Sequence, residues 1–347
     1  MTSRRRRAGA LLAGLATLLA TGAAITAPSA AAQDTRQTAV VSLGDSAISG
    51  EGAGNYEPGT RGENGNWCHR SQNALVHRTA VAQRTFNLAC SGADAANVSL
   101  ADTSHYTEGS QARRLIDLAR QYRVTTVVVQ VGANDEPAFA DTVLSCVGAW
   151  INPFGRSCSS NLSSQWPGRV AAMAPRVEVA INDVRSAMTQ AGYSVSNYNL
   201  VVTSYASPFT ENMDSTWHGP QGCPIRIADA RWGRTSAVPQ LSEAIRGAAT
   251  RTGAKFLDFS RATEGKEACS NRSSSSSGEW QNRIKVDPFA WWYGGLDAIG
   301  IHTAQESFHP NAAGHGQLGG CVTEFVNSGS STARCLIGGD GNLHAVA

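Results

Sequence analysis

The chain has 347 residues, a formal net charge of +2 and 16% charged residues. Four positive charges belong to the opening segment MTSRRRR, so the rest of the chain is near neutral and carries no basic stripe for a nucleic acid. No segment after the first thirty residues reaches the ~20 apolar residues that a transmembrane helix needs. These properties predict a globular protein of one large or two small domains and exclude a nucleic-acid-binding role.

The opening segment has the layout of a secretory signal peptide. The charged stretch MTSRRRR is followed by an apolar stretch and by small residues at Ala30 and Ala32. We predict a signal peptide over residues 1–32, cleaved after Ala32, and a single secreted domain over 33–347. A retained membrane anchor is the alternative, and the arginine run leaves both the general and the twin-arginine export routes open.

Apolar runs then alternate with segments of helical spacing. The runs that indicate buried strands are 38–44, 85–90, 125–132, 198–206 and 254–260. The segments that indicate helices are 71–83, 110–122, 170–192 and 236–253. Strands that are apolar throughout are typical of parallel sheets covered on both faces. The pattern predicts an α/β fold, a three-layer αβα sandwich with a mainly parallel five-stranded sheet, interrupted by long loops at 133–168, 207–235 and 261–308.

All eight cysteines follow the predicted signal peptide. An even number of cysteines in an exported chain indicates disulfides. We favour pairing between neighbours because it closes only short or medium loops, although other connectivities are open: Cys68–Cys90, Cys146–Cys158, Cys223–Cys269 and Cys321–Cys335. The spacings C-x-x-C and H-E-x-x-H do not occur, so we expect no metal and no cofactor.

Four groups that could take part in catalysis follow predicted strands. Ser46 comes after the first strand, Gly92 after the second and Asn134 after the third. His309 follows the fifth strand and its long loop. Because ligands of parallel sheets bind at the carboxyl ends of the strands, we expect these groups at one edge. Each has a structural alternative, since Ser46 and His309 could cap helices and Gly92 and Asn134 could serve turns.

Together the four groups suit acyl transfer. A serine hydroxyl becomes a nucleophile when a base such as His309 lies within hydrogen-bond reach. The oxyanion that forms needs fixed N–H donors, which the main chain of Ser46 and Gly92 and the side chain of Asn134 can supply. The serine precedes the histidine and is not followed by Gly-Gly, which excludes a trypsin-like protease. Position 48 is Ile, which excludes the G-x-S-x-G elbow of α/β-hydrolases.

The ordered motifs resemble the SGNH hydrolase superfamily, also called GDSL lipases and esterases. GDSAISG, the Gly92 segment, GAND and FHPN are similar to its four blocks, and LACSGA and NWCHRSQNA resemble its exported, disulfide-bonded actinobacterial branch. The resemblance implies a flavodoxin-like sandwich with Ser46 as nucleophile, His309 as base and Ser46, Gly92 and Asn134 as oxyanion hole. Neighbour pairing of cysteines is common in that branch.

The last motif departs from the family pattern. The family usually has an aspartate three residues before the histidine, and this chain has Glu306 there. Either Glu306 orients His309, or a main-chain carbonyl near Ser307 accepts the imidazole N–H and leaves a Ser–His dyad.

The predicted function is a secreted, monomeric carboxylic-ester hydrolase. A lipase or esterase is the favoured hypothesis, with phospholipase A1 as one candidate activity. We expect an ester substrate and no obligatory protein partner. An O-acetylesterase on polysaccharide and a non-catalytic binding protein of the same fold are the alternatives.

Overall fold

The structure is a computed structural model that describes residues 34–285 and 302–347. The predicted signal peptide lies outside the described residues. From Arg36 onward the described residues form one compact unit. None of the described helices is both long and apolar enough to cross a bilayer.

A mostly parallel sheet forms the centre of this unit. The described strands are β1 Thr38–Gly44, β2 Arg84–Asn87, β3 Ser104–His105, β4 Glu108–Gly109, β5 Arg123–Gln130, β6 Asn199–Thr203, β7 Lys255–Asp258, β8 Thr332–Ile337 and β9 Leu343–Val346. Seven of them make one sheet in the order β2-β1-β5-β6-β7-β8-β9, while β3 and β4 form a separate antiparallel pair. All neighbours in the large sheet are parallel except β8 and β9.

The five predicted strands are all present in the sheet, and the predicted count of five was too low. β8 and β9 were missed because they lie at one edge of the sheet, where only alternate or isolated side chains are buried. An edge strand of this kind lacks the continuous apolar run that identified the central strands.

Helices cover both faces of the sheet. The described α-helices are α1 Ser46–Ser49, α2 Ala95–Val98, α3 Gln111–Gln121, α4 Phe139–Ile151, α5 Cys158–Leu162, α6 Trp166–Gln190, α7 Ile227–Trp232, α8 Val238–Arg251 and α9 Ala312–Ser328. A π-helical turn, Gly233–Ala237, connects α7 to α8, and short 3₁₀ turns occupy Glu63–Gly65, Leu75–Arg78 and His302–Ala304.

Alternate residues of the strands face the two helical layers. Val41 of β1 belongs to the apolar core shared with α3, α6 and α8, whereas Val40 belongs to the core shared with α9. The two cores on opposite faces make the three-layer αβα sandwich that the strand–helix alternation predicts.

The predicted helix over 71–83 was wrong. This segment forms only the 3₁₀ turn Leu75–Arg78. Hydroxyl groups at its ends hydrogen-bond the main chain, because Ser71 Oγ accepts the N–H of Asn73 at 2.9 Å and Thr79 Oγ1 donates to the carbonyl of Val76 at 2.8 Å. Such local bonds compete with a regular helix.

Four disulfides fix the connections between these elements. They join neighbours in sequence: Cys68–Cys90, Cys146–Cys158, Cys223–Cys269 and Cys321–Cys335. The bonds close loops of 12 to 46 residues. Cys146–Cys158 closes a loop in the segment that follows β5, and Cys223–Cys269 joins the segments that follow β6 and β7. The Cys68–Cys90 bond holds the segment that follows β2.

Candidate active site

Ser46 is the first residue of α1, directly after β1. The residue before it, Asp45, caps this short helix by accepting the N–H of Ala47 at 3.1 Å. The hydroxyl of Tyr205 donates to the other carboxylate oxygen of Asp45. Asp45 is buried, and burial raises its pKa to about 7. This cap fixes the backbone that presents the Ser46 hydroxyl at the edge of the sheet.

Gly44 makes the sharp exit from β1 sterically possible. Its φ is +141°, and a Cβ at this position would lie 1.9 Å from the carbonyl oxygen of Gln130. The Gln111 side chain holds both main-chain groups of Gly44, accepting its N–H at 2.7 Å and donating to its carbonyl at 2.8 Å. A side chain larger than hydrogen at position 44 would therefore displace Gln130 of β5 or Ile48 of α1.

His309 lies against Ser46. Its Nε2 is 2.8 Å from Ser46 Oγ, and its Nδ1 is 3.0 Å from the carbonyl oxygen of Ser307. Because a carbonyl oxygen only accepts, Nδ1 carries the proton and Nε2 is left to accept the Ser46 hydroxyl. Loss of hydration lowers the pKa of His309, which favours the neutral ring that this geometry requires.

The main chain around Phe308 bends to bring this carbonyl to the ring. Phe308 has a φ of +59°, in the left-handed region that a bulky residue rarely adopts. Its side chain is buried and packs edge-to-face on Phe209, with ring centroids 5.7 Å apart. Burial of the ring offsets a backbone strain of about 1–3 kcal/mol.

The partner of the Glu306 carboxylate is Lys285 and not the imidazole N–H of His309. The buried carboxylate forms an ion pair with the half-exposed ammonium group of Lys285. Of the two orienting groups that the sequence left open, the Ser307 carbonyl is the one in hydrogen-bond contact with Nδ1.

Gly92 and Asn134 reach the same edge from β2 and β5. Asn134 Nδ2 donates to the carbonyl of Ala93 at 3.0 Å, which uses one of the two amide hydrogens and ties the two segments together. Gly92 is exposed, with a φ of +81°, and a Cβ there would come within 3.2 Å of His105 Nε2. The four predicted site residues thus lie at the ends of neighbouring elements.

The Cys68–Cys90 disulfide supports the Gly92 segment. On one side of it, the N–H of Cys90 donates to the carbonyl of Gly44 at 3.0 Å. On the other side, the N–H of Ser91 donates to the carbonyl of Cys68 at 3.0 Å. Residues 90 and 91 are therefore held to the Cys68 segment by the disulfide and a hydrogen bond, and to the turn before Ser46 by the Cys90 N–H.

An apolar cavity opens beside the Ser46–His309 pair. Ser46, Asn134 and His309 line it together with side chains of the segments that follow β5 and β6. The aromatic members of the lining are Phe139, Trp166, Tyr205, Phe209, Trp232, Phe259 and Phe308. A cavity of this composition suits a hydrocarbon group attached to the reacting carbonyl.

One cluster among the described residues has the spacing of a metal site, formed by Cys146, Cys158 and Asp229. Both sulfurs are joined in a disulfide, and a disulfide sulfur is a poor ligand. Asp229 instead accepts the N–H groups of Cys158 and Ser159 at the start of α5. Cys146 and Cys158 therefore form a covalent link, and Asp229 caps the start of α5.

Sequence reasoning found the four residues that line the edge and missed those that hold them. Tyr205 and Gln111 sit in ordinary apolar or helical patterns, and only the fold shows that they contact Asp45 and Gly44. No sequence signal distinguishes them from other buried polar residues.

Comparison with known proteins identifies relatives of this chain. The family model described as GDSL-like lipase/acylhydrolase matches residues 42–317. Lipase 2 of Streptomyces coelicolor is 25% identical over 274 residues, which cover 76% of this chain and 84% of that protein.

Two solved structures share the fold. Phospholipase A1 from Streptomyces albidoflavus superposes with a TM-score of 0.54 at 24% identity, over 85% of this chain and 100% of that one. The extracellular lipase of Streptomyces rimosus gives 0.50 at 21% identity, over 84% and 100%. The resemblance to the GDSL lipases and esterases is confirmed: the chain belongs to the GDSL-like lipase/acylhydrolase family and is an ester hydrolase of the lipase/esterase type.

Proposed function

We propose that this protein is an exported carboxylic-ester hydrolase that works through an acyl-enzyme on Ser46, with His309 as general base. The observation that carries the proposal is the 2.8 Å contact between Ser46 Oγ and His309 Nε2, with Nδ1 held by the Ser307 carbonyl. A hydroxyl bonded to an oriented imidazole is the minimum that nucleophilic catalysis requires.

The reaction proceeds in two halves. His309 Nε2 takes the Ser46 proton as the oxygen attacks the ester carbonyl, and the imidazolium then protonates the departing alcohol. In the second half the ring takes a proton from water, which attacks the acyl-enzyme. The ring then returns that proton to Ser46 Oγ as the acid leaves.

The negative oxygen of both tetrahedral intermediates needs donors. We assign the main-chain N–H groups of Ser46 and Gly92 and the second amide hydrogen of Asn134 to this role. Gly92 is exposed and Asn134 lines the cavity beside Ser46, which supports the assignment.

The acyl group is the part of the substrate that the cavity fits. The aromatic lining of the cavity favours an acyl chain over a sugar hydroxyl. One similar protein is a lipase and another is a phospholipase A1, which supports the same choice. The experiment is a rate profile on p-nitrophenyl esters from acetate to palmitate, with a diacyl phospholipid and an acetylated xylan alongside. We expect kcat/KM to rise beyond acetate; a maximum at acetate together with xylan deacetylation would favour the acetylesterase alternative.

Replacing Val143 with tryptophan tests the position of the acyl chain. Val143 lines the cavity from α4, so the indole would fill space that the chain occupies. We expect the ratio of kcat/KM for decanoate over acetate to fall by about tenfold or more. Leu144→Trp is the matched control, because Leu144 lies on the exposed side of the same helix. Equal ratios in both variants would place the chain elsewhere.

The pH dependence follows from the lowered pKa of His309. Only the neutral ring can accept the Ser46 proton, so activity is present above this pKa and is lost as the pH falls through it. Because loss of hydration lowers the pKa from 6.5, we expect the acid limb of kcat/KM to have its midpoint below pH 6.5. Assays from about pH 4 to 8, with recovery of activity after return to neutral pH, measure this. A midpoint above neutrality would contradict the base assignment.

Removing the Cys68–Cys90 disulfide should affect both stability and catalysis. We expect the Cys68→Ala/Cys90→Ala variant to lose about 2–4 kcal/mol of unfolding free energy. We also expect kcat to fall by about tenfold, because the Gly92 donor loses its support. Cys321→Ala/Cys335→Ala is the control, since that bond joins α9 to β8. It should lower stability and leave kcat of the folded protein unchanged. Denaturant titration and initial rates separate the two effects.

Export and a monomeric state complete the proposal. Four disulfides require an oxidising compartment in most organisms, which supports export. N-terminal sequencing of the protein from the culture medium tests cleavage after Ala32, and light scattering tests the monomer.

A further inference from the structure

A buried carboxylate, Glu51, belongs to the segment that follows α1 and packs against the His309 loop. The Glu51 side chain is fully buried, and its Oε1 is 2.8 Å from Nδ1 of His69, which is buried as well. The Tyr56 hydroxyl donates to the same oxygen at 3.5 Å, and the Tyr56 ring stacks on His69 with centroids 4.6 Å apart. A buried carboxylate is costly, so a role besides packing deserves a test.

The Glu51 segment is connected to the His309 loop. A Cβ on the next residue, Gly52, would lie 3.3 Å from the Cβ of His309. Asn282 joins the two segments, because its Nδ2 donates to the carbonyl of Gly52 at 2.9 Å and its N–H donates to the carbonyl of His309 at 2.9 Å. The position of Glu51 relative to the imidazole is therefore fixed.

Glu51 stays charged in this position. Burial alone would raise its pKa, yet the influence of His69 and His309 holds the pKa below the ordinary value. For His309, loss of hydration is the main influence and lowers the pKa, and Glu51 is the strongest charge that opposes it. His69 acts on His309 in the opposite sense and more weakly.

The other nearby carboxylate is compensated. Glu306 has the ammonium group of Lys285 as its ion-pair partner, whereas Glu51 has an imidazole. Both carboxylates raise the pKa of His309, and the influence of Glu51 is the larger of the two.

We propose that Glu51, held by His69, is the positioning carboxylate that stabilises the imidazolium of His309 in the transition state. This inference rests on the proposed roles of Ser46 and His309. It divides the work of a triad aspartate between two groups: the Ser307 carbonyl orients the ring, and Glu51 supplies the negative charge.

A pH test must consider every titratable group that faces this pair. These groups are His69, Tyr56, Tyr106, Glu306 with Lys285, and His315. Burial raises the pKa of both tyrosines and lowers that of His315 to about 3, so these three stay neutral across the range of the assay. The Glu51–His69 pair and the Glu306–Lys285 pair remain, and substitution of the two carboxylates separates one pair from the other.

The test compares Glu51→Gln with Glu306→Gln. The readout is the rate of Ser46 labelling by a fluorophosphonate as a function of pH, normalised to active sites, so that it reports only on folded molecules. For Glu51→Gln we expect the acid limb to move down by about half a unit to one unit. We expect the plateau rate to fall about threefold to tenfold as the base weakens. Glu306→Gln should shift the limb by less, and Glu51→Asp, which keeps the charge, should restore it towards the wild-type position.

The outcomes are distinct. A Glu51→Gln limb at the wild-type position, or a Glu306→Gln shift as large as that of Glu51→Gln, overturns the inference. A lower plateau without a moved limb indicates a purely structural role and overturns it too. Failure of the wild-type protein to label at Ser46 would instead overturn the proposed function.

Discussion

Replacement of Ser46 by alanine is expected to lower kcat/KM for a short p-nitrophenyl ester by on the order of 10⁴-fold or more. His309→Ala should have an effect of similar size, because the hydroxyl is a poor nucleophile without its base. The double variant should be little worse than either single one, since the two residues act as a unit at a separation of 2.8 Å. Initial rates at neutral pH, corrected for spontaneous hydrolysis, measure all three.

Matched controls exist for both substitutions. Ser145 is exposed on α4, and His344 lies at the edge of the sheet in β9, so Ser145→Ala and His344→Ala should retain wild-type turnover. Circular dichroism and thermal unfolding establish that the inactive variants are folded. Wild-type turnover in Ser46→Ala or in His309→Ala would refute the acyl-enzyme mechanism.

Asn134→Ala is expected to have the second largest effect, a fall in kcat of about 10²-fold with a small change in KM. The amide donor acts on an oxygen whose charge is greatest in the transition state, so its loss lowers kcat rather than substrate binding. Steady-state kinetics on one ester, with both parameters determined, is the measurement.

Asn134 also donates to the carbonyl of Ala93, so the loss of this structural contact must be separated from the loss of the oxyanion donor. Asn161→Ala, at an exposed position of α5, controls for the loss of an amide as such. An Asn134→Ala variant with a raised KM and unchanged kcat would show that Asn134 binds the ground state and would remove it from the oxyanion hole.

The fold was predictable where the chain is periodic. The central strands have near-continuous apolar runs, and α3, α6 and α8 have helical spacing, so the layers and the parallel sheet followed from the pattern. The conformations of edge strand β9 and of residues 71–83, where no regular helix forms, depend on contacts with residues that are distant in sequence. The packing of Leu75 against α9 is one such tertiary contact.

The site was predictable to the extent that chemistry requires particular residue types. Ser46, Gly92, Asn134 and His309 stand after strands, and topology brings such positions together. The positive φ of Phe308, which brings the Ser307 carbonyl to the imidazole, leaves no trace in the residue types. The ion pair that takes Glu306 towards Lys285 is likewise a consequence of the folded loops.

The identity of the nucleophile is the central claim, and mass spectrometry of the protein after reaction with a fluorophosphonate tests it most directly. We predict one adduct per molecule, on the peptide that contains Ser46, and its absence when Ser46 is alanine or when His309 is alanine. An adduct on another residue, or complete hydrolytic activity in a protein that takes up no label, would contradict the assignment of Ser46 as nucleophile.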